Sequence, residues 1–521
     1  MRIAIFAVSC AAIVCACSGN GGGGGGSTGT GPDGAVSDGG GAPDGEGGQD
    51  GGGGQDGGGG QEGGGGQDGG TDAGTPPGGA DWTQYRAGVR GTSANAGTFE
   101  TTDATNLRTI WTTELSSNGS AQAYSQPAIV SGTAYFTTAI SANIIALDAA
   151  TGAVRWSRKF NGDITTACGG VKRRGFWAAP AVVSGVLYVA AADGHAYALH
   201  PEDGTTIWAT SIADPTPEGH GEFLQSSPAV STMLGRMYLG IASSEGCDEV
   251  RGKIAMLDLA TGASVVKALV REGQQGAAIW SSISIDEGAR RVFASTGNRI
   301  GDISAEALAQ SIVSFDAQTL EVIDHWQDPT PLEDSDFGSS PTLFEDAKGA
   351  PLVAASNKDG MLFVLRRDRL SAGPVWSARL AVVDPANPNV GGNPAAGFGS
   401  IVSPTFANGL LYAAGGRTTS GDPGSVVAFD PETGAVRWQH VTPGYVLAPM
   451  PAVGDILIVE SSAPNNSTSW LEVLDARSGA LLRTFPAQIM TFAAPAVAHG
   501  TILWADANGL VTALAPPRYV P

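Results

Sequence analysis

A short apolar strand headed by Pro recurs along this chain: Pro127-Ala-Ile-Val, Pro180-Ala-Val-Val, Pro228-Ala-Val, Pro341-Thr-Leu, Pro404-Thr-Phe, Pro451-Ala-Val and Pro495-Ala-Val. Ser284 takes the same slot within Ser281-Ser282-Ile283-Ser284-Ile285-Asp286, which makes eight units. Successive slots lie 53, 48, 56, 57, 63, 47 and 44 residues apart, room for four short strands and their loops in each unit.

Within a unit the strands are legible. Pro180-Ala-Val-Val leads to Leu187-Tyr-Val-Ala-Ala, an Asp193-Gly194 turn, Ala196-Tyr-Ala-Leu and then Thr206-Ile-Trp208. Turns of Asp-Gly or Asn-Gly, repeated at Asp359-Gly360 and Asn508-Gly509, suit tight antiparallel hairpins because Gly reaches positive φ without steric cost. Units close on Asp-x-x-Thr-Gly-x-x-x-Trp, as from Asp148 to Trp156 and from Asp430 to Trp438; Trp111, Trp208, Trp326 and Trp376 take related outer-strand slots, where packing between units is expected. Eight four-stranded units with no long helix predict an all-β, eight-bladed β-propeller. The final unit runs out after Ala513-Leu514, and Leu107 to Trp111 is placed to supply its missing outer strand.

Composition separates this body from what precedes it. Of 77 glycines, 33 fall within residues 19–80, where Gly-Gly-Gly-Gly-Gln-Asp repeats and apolar side chains are nearly absent, so a disordered linker is expected. Upstream, Arg2 and an apolar run from Ile3 to Ala16 read as an export signal, too short to span a bilayer as a helix. Val14-Cys15-Ala16-Cys17 resembles a bacterial lipobox, which makes Cys17 the expected lipidated residue; Ser18 after it favours the outer membrane, facing periplasm or cell surface. The expected order is a signal peptide over 1–16, a lipidated linker over 17–80 and a propeller, monomeric, over 81–521.

Residues 81–521 hold 41 of the 50 acids and 28 of the 29 bases, a net of −13. With no basic run longer than Lys172-Arg173-Arg174, nucleic acid is excluded as a partner. No Cys-x-x-Cys-His for a covalently held haem occurs, and the six histidines lack zinc spacing. If Cys17 is lipidated, Cys168 and Cys247 remain, as one disulfide or two buried thiols.

The Asp-x-x-Thr-Gly-x-x-x-Trp repeats, Trp280 followed by Asp286 and Ser295-Thr296-Gly297-Asn298, Asp334-Ser335-Asp336-Phe337-Gly338 and Asn357-Lys358-Asp359-Gly360 together resemble the quinoprotein alcohol dehydrogenases, nearest their polyvinyl-alcohol-dehydrogenase-like branch. The resemblance covers about residues 81–517. In that family pyrroloquinoline quinone (PQQ) lies at the centre of one face, stacked on a Trp, and accepts hydride from an alcohol while Ca²⁺ polarises it. Matched motif by motif, the resemblance makes Trp280 the stacking floor, Asn298 a Ca²⁺ ligand, Asp336 the general base and Lys358 the donor to the quinone oxygens. Arg173 or Arg174 would pair with a cofactor carboxylate, and Glu245 or Asp248 would be the acidic calcium ligand, the spacing leaving each choice open.

Strand order adds an independent expectation. Trp280, Asp336, Arg173 and Arg174 precede inner strands, whereas Asn298, Lys358 and the cluster Ser244 to Glu249 follow second strands. In a propeller both kinds of loop emerge on one face. The adjacent cysteines that many family members carry over the quinone are reduced here to Ala167-Cys168, and a bridge between Cys168 and Cys247 would replace them. The resemblance thus implies a lipid-anchored dehydrogenase of a small-molecule or polymeric alcohol, passing electrons to a separate acceptor. The alternatives are a non-catalytic scaffold of the cell envelope, like the propeller lipoprotein of outer-membrane protein assembly, and a propeller that binds some other ligand.

Overall fold

Short runs of β-branched and aromatic residues broken by two-residue turns have one low-cost outcome, an antiparallel meander, because each strand pairs with its chain neighbour before any long loop has to be closed. In the computed structural model, which describes residues 80–97, 99–115, 122–161, 163–165, 171–173, 175–216, 221–243, 251–300, 306–464, 468–487 and 492–519, that is the unit built. Ala128–Val130, Thr133–Thr137, Asn143–Asp148 and Val154–Lys159 pair in chain order as the first blade. Seven more sheets begin at the inner strands Ala181–Val183, Ala229–Ser231, Ser284–Asp286, Thr342–Glu345, Thr405–Ala407, Ala452–Val453 and Ala496–Ala498, giving an eight-bladed propeller. The last blade takes its outer strand from the start of the body: Arg108–Glu114 pairs antiparallel with Leu510–Ala515.

One slot is corrected by a residue. Every other inner strand starts just after its Pro, and in the fourth blade the strand starts at Ser284, so Ile283 and not Ser284 stands where Pro stands elsewhere. Four serines, each one position before the slot, share this phase. Ala179 N donates to Ser227 Oγ at 3.0 Å, Ser227 N to Ser282 Oγ at 2.9 Å, Ser282 N to Ser340 Oγ at 2.8 Å and Ser340 N to Ser403 Oγ at 2.9 Å, each bond joining one blade to the next.

The expected role of the tryptophans holds at five interfaces. Trp111, Trp156, Trp208, Trp376 and Trp438 each donate an indole N–H to a carbonyl in the following blade, at 2.9–3.2 Å. Each ring lies against a turn glycine of that blade, Gly152, Gly204, Gly262, Gly434 or Gly479, where a Cβ would fall 2.5–2.8 Å from the indole; three of the five close an Asp-x-x-Thr-Gly turn. Between the third and fourth blades Val266 replaces Trp and Leu320 replaces Gly. Trp326 sits two residues past the docking position, held by Asp324, and packs instead on Phe363 and Phe337 with ring centroids 4.8 and 6.3 Å apart. That places it beneath the residue next to Asp336.

Residues 82–95 form a belt that touches the inner strand of every blade in order. Trp82 exchanges hydrogen bonds with Ile129 at 2.8 Å; Thr83 O accepts from Val182 N, and Gln84 Oε1 from Val230 N. Val89, Arg90, Thr92 and Ser93 accept from Ile285, Leu343, Phe406 and Ala452, and Asn95 Nδ2 donates to Val497 O. Arg86 crosses the axis: its backbone N–H donates to Gln126 of the first blade, and its guanidinium to the carbonyls of Ser340, Pro341 and Pro404 in the fifth and sixth. It is fully buried, no carboxylate among the described residues pairs with it, and burial lowers its pKa to about 10. Tyr85 beside it is raised by burial, against the hydrogen bonds of its hydroxyl to Ser403 and Ser340.

Candidate active site

Above that plug the channel opens into a cavity of about 220 Å³, and Trp280, Asn298, Asp336 and Lys358 all line it. They arrive from two blades. Trp280 precedes the inner strand of the fourth blade and Asn298 follows its second strand, Arg291–Ser295; Asp336 and Lys358 lie in the corresponding loops of the fifth, before Thr342–Glu345 and after Pro351–Ser356. The same two kinds of loop in adjacent blades therefore bring four separated residues to one cavity.

Their contacts form a continuous network. Trp280 Nε1 donates to Asp336 Oδ2 at 2.6 Å, and Lys358 Nζ lies 2.8 Å from Asp336 Oδ1. Lys358 Nζ also donates to Asp334 Oδ1 at 2.8 Å, which accepts from Asn298 Nδ2 at the same distance. The ammonium stands 5.8 Å from the centroid of the Trp280 ring. Gly338 backs onto that indole so closely that a Cβ would lie 2.3 Å from it, which fixes the plane of the ring. Burial alone would lower the pKa of Lys358, but Asp336 and Asp334 reverse this and hold it well above its usual value. Asp334 is raised by burial and by Asp336, against the pull of Lys358.

The loop under Asp336 is pinned from both sides. Ser335 Oγ donates to Leu332 O at 2.9 Å, Gln310 Nε2 reaches Leu332 O and Ser335 Oγ, and Lys358 N donates to Asp336 O at 3.1 Å. Asn357 Nδ2 donates to Asp328 Oδ2 at 3.3 Å. Asp359 is raised to about 7, first by burial and then by the charge of Asp328, itself raised by burial.

Across the cavity the wall is aromatic. Tyr124 packs between Trp177 and Phe492 with ring centroids 5.1 and 6.4 Å away, and Leu447 and Ile401 continue the apolar surface. The site therefore has a charged side and an apolar side, with Tyr85 at the plugged end.

Two carboxylates and one ammonium leave an excess negative charge, and Asn298 Oδ1 is buried without a hydrogen-bond partner among the described residues. Carboxylate and amide oxygens are ligands a hard cation takes. Among the described residues no three His, Cys, Asp or Glu side chains converge as a metal site, so a cation here draws on the amide as well. An indole face beside a lysine donor also suits a planar, oxygen-rich ring, so the residues present fit both groups that the motifs implied.

Arg173 ends the strand Val171–Arg173, which pairs with Asp163–Thr165 in an extra hairpin that the sequence did not lead us to expect ahead of the second blade. Arg174, Glu245, Asp248, Cys168, Cys247 and Cys17 lie outside the described residues. Sequence reasoning gave no role to Asp334, although it lies two residues before Asp336 in the motif. Nor did it single out Tyr124, Trp177 and Phe492, although each lies three residues before the Pro of its unit, the same offset that separates Trp280 from Ile283.

Comparison with known proteins agrees with this architecture. The family model described as outer membrane protein assembly factor BamB, a PQQ-repeat propeller model, matches residues 96–367 and 364–517, and the chain belongs to that family. It is 27% identical over 367 residues to the polyvinylalcohol dehydrogenase of Sphingopyxis sp. (strain 113P3), covering 60% of this chain and 52% of that protein. To the dehydrogenase subunit of the quinone-type alcohol dehydrogenase of Gluconacetobacter polyoxogenes it is 24% identical over 388 residues, covering 64% and 50%. The chain thus spans about half the length of these relatives. The crystal structure of quinohemoprotein alcohol dehydrogenase from Comamonas testosteroni superimposes with a TM-score of 0.62 at 19% identity, over 84% of this chain and 80% of that one, a likeness of fold.

Proposed function

We propose that this protein is a PQQ- and calcium-dependent alcohol dehydrogenase. The observation that carries the reading is the convergence of Trp280, Asn298, Asp336 and Lys358 on one cavity. Bound there, the quinone would accept hydride from the alcohol carbon, and the calcium ion would polarise it.

The chain's own residues divide the remaining work. Trp280 offers a flat surface whose plane is set by Gly338 and by its bond to Asp336. Lys358 is held protonated by two carboxylates, so it serves as a donor and not as the base. Asp334, held through Oδ1 by two donors, is not among the residues that line the cavity, whereas Asp336 is. Asp336 remains as the carboxylate that takes the hydroxyl proton of the alcohol, and the aromatic wall opposite accommodates the carbon skeleton. The substrate is a small-molecule or polymeric alcohol, and the electrons pass to a separate acceptor. Lipidation at Cys17 would tether the propeller to the outer membrane, on its periplasmic or cell-surface side.

The test is to purify the protein, add PQQ with and without Ca²⁺, and follow quinone absorbance and dye-linked alcohol oxidation. A calcium-dependent spectral change with turnover is expected. Its absence at high cofactor concentration would move the reading to a non-catalytic scaffold of the cell envelope, which the description of the matched family supports and which has no use for a buried lysine between two carboxylates.

A further inference from the structure

We propose that Asp334 is a positioning residue that makes Asn298 a cation ligand, an inference that rests on the reading above. An asparagine side chain has an accepting end and a donating end of almost the same shape, and its neighbours decide which faces where. Asp334 Oδ1 accepts from Asn298 Nδ2 at 2.8 Å. An ionised carboxylate only accepts, so it can hold only the NH₂ end of the amide. The oxygen end is thereby turned away from Asp334, and Oδ1 is left buried without a partner among the described residues, on a side chain that lines the cavity and is 7% exposed. A buried acceptor without a donor is unfavourable unless something meets it, and beside an excess negative charge a cation is the group that does.

Charge works in the same direction. Lys358 neutralises one of the two carboxylates it touches, and Asp334 supplies the one that remains. Replacing Asp334 by Asn would leave a neutral Lys358 and Asp336 pair, and it would also present Asn298 with a neighbour that both donates and accepts, so the amide is free to turn its NH₂ toward the cavity. The backbone at Asp334 has φ +54°, in the left-handed region, which Asn also tolerates, so this exchange keeps the loop.

The experiment uses Tb³⁺ as an oxygen-seeking probe, excited through Trp280, with Ca²⁺ as competitor, on the full chain. Affinity for both ions should fall about 10-fold or more in Asp334→Asn, the loss typical when a residue that orients a metal ligand is removed. The swap Asp334→Asn with Asn298→Asp restores a carboxylate, an amide and a hydrogen bond between them, with an oxygen free for the cavity, and it should recover most of the affinity. A merely structural role would not be rescued this way. Unchanged ion binding in Asp334→Asn overturns the proposal, as does a folded swap variant that stays weak; the swap also serves if the single variant unfolds. If the wild type takes up PQQ but no Tb³⁺, this inference falls alone. If the wild type takes up neither, the dehydrogenase reading falls with it.

Discussion

Gly152 lies flat against the indole of Trp111, so close that a Cβ at Gly152 would stand 2.5 Å from the ring, and the contact joins the last blade to the first. Gly132, with φ +75° against +73° at Gly152, has nothing within 4 Å of its own Cβ position. The two glycines thus share a backbone conformation and differ in their neighbour. Gly132→Ala should cost about 1 kcal/mol from the left-handed backbone alone. Gly152→Ala should cost that and roughly 1–3 kcal/mol more, because the ring has to move. Urea denaturation of the two variants measures the difference, and equal midpoints would mean that ring closure does not depend on this contact.

What was legible in the sequence is what repeats. Inner strands and hairpin turns recur from unit to unit, and Trp280, Asn298, Asp336 and Lys358 could be placed on one face because each lies in a loop that enters an inner strand or leaves a second strand. The belt over 82–95 was not legible, because it makes eight different contacts and has no period. Asp334 was hidden for a different reason: its partners Asn298 and Lys358 are 36 and 24 residues away, and Asn298 reaches it only where the fourth blade packs on the fifth. The shift from Ser284 to Ile283 could have been found in the sequence, since Ser precedes Pro at Ser227-Pro228, Ser340-Pro341 and Ser403-Pro404 and Ser282 precedes Ile283, but only the bonds between blades show what those serines do.

Arg86 should be among the costliest polar side chains to remove. Its guanidinium donates to carbonyls of the fifth and sixth blades at a site without exposed surface, so Arg86→Met strips several buried acceptors at once. A loss on the order of 3 kcal/mol is expected, since each buried acceptor left unmet costs about 1–3 kcal/mol. Arg90 is the control. Its guanidinium pairs with Glu345 at a partly exposed site, so Arg90→Met should cost less than about 1 kcal/mol. A midpoint for Arg86→Met no lower than that of the control would show that the belt does not lock the ring.

Stability should fall as the pH rises from about 4 to about 7. Asp359 is raised to about 7 in the folded chain from an ordinary value of 3.8, so between these values the folded state holds a proton that the unfolded state has lost. Its contribution is fully present below the unfolded pKa and is lost as the pH passes through the folded one, with a slope of up to roughly 1.4 kcal/mol per pH unit. Asp359→Asn has no proton to lose and should flatten this part of the profile. Thermal unfolding at pH 4, 5.5 and 7 reads it out, and identical profiles for variant and wild type would remove Asp359 as the cause.

Asp336→Asn separates proton removal from binding. The amide oxygen can still accept from Trp280 Nε1, and Lys358 keeps Asp334 as its partner, so the network that shapes the cavity survives with one charge fewer. Quinone uptake should therefore persist, while kcat for alcohol oxidation falls by about 10²–10⁴-fold, the usual worth of a general base. Trp280→Ala should show the opposite split: cofactor affinity drops by roughly 1 kcal/mol or more through lost packing on the indole face. Titration of each variant with PQQ, followed by turnover at saturating cofactor, distinguishes the two. If Asp336→Asn turns over at the wild-type rate once saturated, the proton leaves by another group and the assignment of the base is wrong.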